Sequence, residues 1–182
     1  DIVGQPSEPF VVPLLAACLD ESRSTNGTVR DAAEDTSKAI IKLANPLAAQ
    51  TLLCPVLFAA LSSPEWRVKQ NALDRLAQLA QASAAQIAPL LPEIIPKVSA
   101  QVWDTKPQVT KAASSCLLMA CNTNINPDVK PAIPAVVNAI VKPSDTMKAV
   151  EELMGTTFVA TVDASTLAIL CPVLSRGLKH KV

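Results

Sequence analysis

Pro96-Lys97-Val98-Ser99-Ala100-Gln101-Val102-Trp103-Asp104-Thr105-Lys106-Pro107-Gln108-Val109-Thr110-Lys111-Ala112-Ala113-Ser114-Ser115-Cys116-Leu117-Leu118-Met119-Ala120 holds one full cycle of the pattern that organises this chain. In its second half Val109, Ala112, Ala113, Cys116, Leu117 and Ala120 fall on one face of a helix with about 3.6 residues per turn. In its first half a proline, Pro96, is followed six residues later by Val102 and thirteen residues later by Val109. The proline returns at Pro13, Pro55, Pro134 and Pro172, in steps of 42, 41, 38 and 38 residues, with Leu19, Leu61, Ile140 and Leu178 in the Val102 position. A second aliphatic marker keeps phase at Val29, Val68, Val109 and Met147. Two markers in one phase predict a stack of similar helix pairs, and no comparable alternating strand pattern is present.

The period lies in the range of HEAT and armadillo repeats. The fold class expected is all-α, a right-handed HEAT-repeat solenoid of about four and a half antiparallel helix pairs. It counts as a single domain over 1–182, with repeats near 1–44, 45–84, 85–122, 123–160 and a partial 161–182. A proline inside a helix removes a hydrogen bond and clashes with the preceding turn, so each first helix should bend or start late at its proline. Asn26-Gly27, Ser62-Ser63-Pro64, Asp104 to Pro107 and Lys142 to Asp145 mark the turns within pairs, with Asp104 and Asp145 as N-cap or turn residues. Small residues such as Ala32, Ala33, Ala72, Ala112 and Ala113 let helices approach closely, and a stack without long-range contacts can bend gently.

Sixteen basic and sixteen acidic residues cancel, so no global field draws the chain to nucleic acid or an anionic membrane, and any such contact needs a local patch. Apolar runs fall well short of the roughly 18 residues of a membrane span, and no secretory leader is recognisable. Beginning at Asp1 and ending just past a first helix, the chain reads as a fragment of a longer protein. The five cysteines, Cys18, Cys54, Cys116, Cys121 and Cys171, form no C-x-x-C pair and are expected to be buried thiols in a reducing compartment. With His180 the only histidine, a zinc site is not expected.

No phosphate loop and no nucleophile elbow is present, and Glu151 and Glu152 are neighbours that point apart on a helix, so they are read as a solvated face. No enzyme activity, catalytic residue, cofactor, metal or small-molecule substrate is expected in this segment. The charges of interest are those that repeat. Arg30, Lys69 and Lys148 directly follow the aliphatic marker, while the third unit has Lys111 two positions on. They form either a cationic ladder for RNA phosphates or, as expected on general grounds, partners for Asp20, Glu65, Asp104 and Asp145 in the turns. Arg67 and Lys106 belong to the same edge. Arg176, Lys179, His180 and Lys181 form a second cluster without neighbouring acids, the better candidate contact for RNA or an acidic protein, although cations at a helix end also complement its dipole. Trp66 and Trp103 sit at turns, where packing is expected and an exposed ring would serve a base or a partner.

Trp103 to Ala113, then Gly155-Thr156-Thr157-Phe158-Val159-Ala160, then Leu167 to Leu178 with its Pro172-Val173-Leu174-Ser175-Arg176-Gly177-Leu178 string, are similar to the amino-terminal HEAT domain of translation elongation factor three. The resemblance is strong from Pro89 to Lys179 and rests on repeat phase alone before that. The sequence departs from the usual pattern at Pro107, at Thr161, where a glutamate is common, and at Lys179 to Lys181. The resemblance implies a cytoplasmic, monomeric, ribosome-binding arm that touches ribosomal RNA and proteins chiefly of the small subunit. It implies further that ATP and magnesium are used by two ATP-binding-cassette domains elsewhere in the parent protein, which drive translocation and release of exit-site transfer RNA. Two alternatives stand beside it: the elongation-factor-three-like HEAT region of a general-control stress coactivator, also ribosome-binding, and a general protein-binding HEAT adaptor.

Overall fold

The structure, a computed structural model, describes residues 4–179. Among these residues every regular element is helical. The chain runs through α1 (Glu8–Val11), α2 (Leu15–Glu21), α3 (Gly27–Leu43), α4 (Cys54–Ala60), α5 (Trp66–Ala82), α6 (Ala84–Ile87), α7 (Leu91–Gln101), α8 (Pro107–Cys121), α9 (Ile133–Val141), α10 (Thr146–Met154) and α11 (Ala164–Lys179). Helices α2 and α3, α4 and α5, α7 and α8, and α9 and α10 pack as hairpins, joined by connections short enough to return the chain beside itself. The result is an all-α HEAT solenoid with one continuous apolar core, running from Val12 in the first pair to Val173 in α11.

The prolines act as their chemistry requires. Pro13 lies in a 3-10 turn between α1 and α2, while Pro55 and Pro134 stand at the starts of α4 and α9, after a π-helical and a 3-10 turn respectively. A missing N–H costs nothing at a helix start. Helices α7 and α11 instead continue through Pro96 and Pro172. The residues six positions on, Leu19, Leu61, Val102 and Ile140, are all buried, whereas Leu178 is 89% exposed because it lies past the last core residue of α11, Val173.

The second marker divides. Val68 and Val109 are in the core, but Val29 and Met147 are exposed. Val29 stands at the open end of a stripe that buries Ala33, Ser37, Ile40 and Ile41. In the fourth pair a 3-10 turn at Pro143–Asp145 feeds α10, and the buried face becomes Thr146, Ala149 and Leu153, one residue out of phase with Met147.

Three inter-helix turns share a construction that the markers do not reveal. Ser24 Oγ accepts from the Asn26 N–H at 3.3 Å, Ser63 Oγ from the Glu65 N–H at 3.2 Å, and Asp104 Oδ1 from the Lys106 N–H at 2.9 Å. The next residue begins the helix each time, at Gly27, Trp66 and Pro107. Asp104 is thus a turn residue, the N-cap of α8 being Lys106, and Asp145 stands at the N-cap of α10 without a side-chain cap bond.

The stacking changes course after the third pair. Second helices lie on second helices from α3 to α5 to α8, but α8 then packs on α9, and α11 packs directly on α7. Ser165 Oγ at the start of α11 donates to the buried Ala88 carbonyl at 2.7 Å. The first helix of the fifth unit therefore occupies the place beside α7 that a regular stack would give to α9.

Candidate functional site

The edge carrying the inter-helix turns of the second and third pairs holds Arg67, Lys69, Lys106 and Lys111, half of the cations read as candidates. The recurring position four residues after each cap is used by the fold. Arg30 donates from Nη1 to the Ser24 and Thr25 carbonyls at 2.9 and 3.1 Å, and Thr110 Oγ1 donates to the Asp104 carbonyl at 3.3 Å. Lys69 reaches across to the next unit and binds Asp104 Oδ2 at 2.8 Å, with both side chains mostly shielded from solvent. The Lys69 ammonium, followed by the Lys106 N–H, holds the Asp104 carboxyl below the usual carboxylate range. Lys69 is consequently a tie between repeats, not a free phosphate ligand.

Arg67 is half-buried, with its guanidinium 4.5 Å from the centre of the Trp66 ring. Trp66 itself packs against the core. Trp103 differs: it is 60% exposed. Lys106 and Lys111 are exposed, and neither has a carboxylate within ion-pair distance among the described residues, where the pairs are Arg23 with Asp20, Lys69 with Asp104 and Lys97 with Glu93.

The carboxy-terminal cluster is less available than its sequence suggests. Arg176 is half-buried and donates from Nη1 to the Ala139 carbonyl at 2.6 Å, so its guanidinium fastens α11 to α9. Lys179 is exposed; His180 and Lys181 lie outside the described residues. Between α10 and α11, Asp128 Oδ2 accepts from the Val159 and Ala160 N–H groups at 2.7 Å each, and Asp163 caps α11 through the Thr166 N–H at 2.8 Å. Hydrogen bonds from the Thr166 side chain and backbone hold Asp163 low. The Thr156 to Ala160 string is therefore pinned by its backbone.

The cysteines correct one expectation. Cys54, Cys116 and Cys121 are buried and Cys18 is partly so, but Cys171 is exposed because it borders an open groove between α7 and α11 lined by Pro92, Pro96 and Pro172. Burial pushes the Cys54 and Cys121 thiols up to about 12, that of Cys54 with help from the Glu93 charge. It pushes Cys116 up as well. Thiols held protonated this way are poor nucleophiles. Among the described residues no group of three or more His, Cys, Asp or Glu side chains could hold a metal ion, and no helix is long and apolar enough to cross a membrane.

Comparison with known proteins places this architecture. Residues 1–117 match the family described as EF3 N-terminal HEAT repeat. The chain belongs to that family. Residues 145–182 match a second description, Elongation factor 3/GNC1 HEAT repeat. Elongation factor 3 of Phytophthora infestans is 38% identical over 172 residues, 94% of this chain and 16% of that protein. Elongation factor 3 of Mycosarcoma maydis is 35% identical over 181 residues, 98% of the chain and 17% of the relative. A Schizosaccharomyces pombe protein named mRNA export factor elf1 shows the same 35% over 181 residues, again 17% of its length. The chain spans about a sixth of the length of these relatives. The match over 1–117 extends the family likeness into the first half, where repeat phase alone had carried it. Both family matches on this segment are to HEAT repeats.

Proposed function

We propose that this chain is the ribosome-binding HEAT arm of a cytoplasmic elongation factor of the elongation-factor-3 type. It holds a monomeric factor on ribosomal RNA and protein, chiefly of the small subunit. ATP-dependent translocation and release of exit-site transfer RNA are carried out by other parts of the longer protein. The observation that carries the reading is the family match together with curated relatives named elongation factor 3 over nearly the whole chain. Lys106 and Lys111, exposed and without an ion-pair partner among the described residues, supply a local cationic edge on a chain of zero net charge, and such an edge binds phosphate with release of counterions. Cosedimentation with purified eukaryotic ribosomes across a salt series tests it. Saturable binding that weakens with salt, and weakens further in a Lys106→Ala, Lys111→Ala variant, is the expected result; absence of binding at low salt rejects it.

A second reading has one observation behind it. The relative named mRNA export factor is as similar to this chain as the Mycosarcoma elongation factor. In that reading the same edge serves a messenger ribonucleoprotein. Preference for polyadenylated RNA over purified ribosomes in the same assay would select it.

A further inference from the structure

We infer that Trp103 is a stacking platform for an unpaired RNA base, with Lys106 and Lys111 on the flanking phosphates. This rests on the ribosome reading and names the contact. The two tryptophans stand at neighbouring turns and have opposite fates. Trp66 is packed on the core and covered by Arg67, so its ring is occupied. Trp103 exposes 60% of its surface, and among the described residues no cation lies over it.

The surroundings are arranged for an anion. From Trp103 to Lys111 the only acidic residue is Asp104, and its carboxylate is turned into the protein and bound by Lys69 at 2.8 Å and by the Lys106 N–H at 2.9 Å. The charge that would repel a phosphate beside the indole is thus cancelled from the neighbouring repeat. The neighbouring turn carries one acid, Glu65, and one arginine, Arg67, so its formal charge is zero and Lys106 and Lys111 are the surplus. Their backbone is held firm, since Asp104 closes the turn and Pro107 fixes the first helical residue. An aromatic face beside unpaired cations on a rigid turn fits single-stranded RNA, in which an unstacked base offers a π-face and its backbone offers phosphates. An acidic peptide would satisfy the lysines and leave the ring unused.

The whole chain carrying Trp66→Phe retains Trp103 as its single indole, and its emission reports directly on this turn. Titration with a short single-stranded RNA should give saturable quenching. In anisotropy with the same labelled RNA, Trp103→Ala should weaken binding by about tenfold, as stacking contributions to single-strand binding imply. Trp103→Phe should recover part of the loss, and Lys106→Ala with Lys111→Ala should lower the salt slope by about 1.4. Three results overturn the inference. If ribosomes cosediment but RNA leaves Trp103 emission unchanged, the arm binds elsewhere and the ribosome reading stands. If polyglutamate quenches as well as RNA, the partner is an acidic protein. If neither ribosome nor RNA binds, both readings fail.

Discussion

Asp104 is the residue on which most depends, because one carboxylate closes its own turn and ties down the neighbouring repeat. Its two roles separate by substitution. Asp104→Asn keeps an oxygen for the Lys106 N–H and loses the Lys69 charge, while Asp104→Ala loses both. We expect urea denaturation to show a loss of about 0.5–1 kcal/mol for the first and about 1–2 kcal/mol for the second. A carboxyl held below its ordinary value adds stability that is fully present above pH of about 4 and is lost as pH falls through its folded value. The acid limb of a stability–pH curve should therefore flatten in Asp104→Asn. A carboxylate one residue past Trp103 was readable as a turn former. Its partner was not, since Lys69 lies 35 residues away and only the stacking of repeats brings the two together. The same holds for Asn71, buried between Ser22 and Ser37 through bonds of 2.7 and 3.2 Å: nothing in the local pattern of α5 distinguishes it from a solvated amide. Arg176 misleads for a related reason, because a basic helix end looks free until the carbonyl of Ala139 is found at 2.6 Å.

At the scale of helices, apolar periodicity and proline spacing fixed the hairpins well, because both report on local sterics and on which face is buried. In the fourth pair the 3-10 turn at Pro143–Asp145 shifts the phase by a residue as α10 begins, and this explains Met147. Close approach between helices is subtler. A Cβ on Gly177 of α11 would lie 2.9 Å from Val150 Cγ2 on α10, and the β-branched valine has little rotameric freedom to withdraw. Gly177→Ala gains helix propensity of about 1 kcal/mol yet forces this contact, and overpacking costs typically 1–3 kcal/mol. Thermal denaturation should show net destabilisation in the single variant. With Val150→Ala present, the same substitution should become stabilising, by up to about 1 kcal/mol. If Gly177→Ala stabilises in both backgrounds, α10 and α11 are not in tight contact there.

Over the whole molecule, a strictly regular stack transmits a disturbance only to adjacent units. Here α11 leans on α7 and leaves α9 against α8. Ile169→Ala, which empties a fully buried site on α11 at a cost of about 2–5 kcal/mol, should therefore speed hydrogen exchange in Leu91–Gln101 as well as in α9. Exchange that rises in α9 and α10 alone would show that α7 does not depend on α11. No reading of period could have disclosed this crossing, since every unit keeps its spacing while the neighbours change. The crossing also sets an order of birth. Ser165 and Ala88 are 77 residues apart, and at an elongation rate of about 5–20 residues per second α7 leaves the decoding machinery roughly 4–15 seconds before the helix that will cover it. During that interval the side of α7 on which α11 will pack waits uncovered, and the α9–α10 hairpin must settle against α8 without closing over it. A pause in synthesis between Asn122 and Asp163 lengthens that wait, so the timing of this stretch of messenger governs how long the nascent chain is open to holdases.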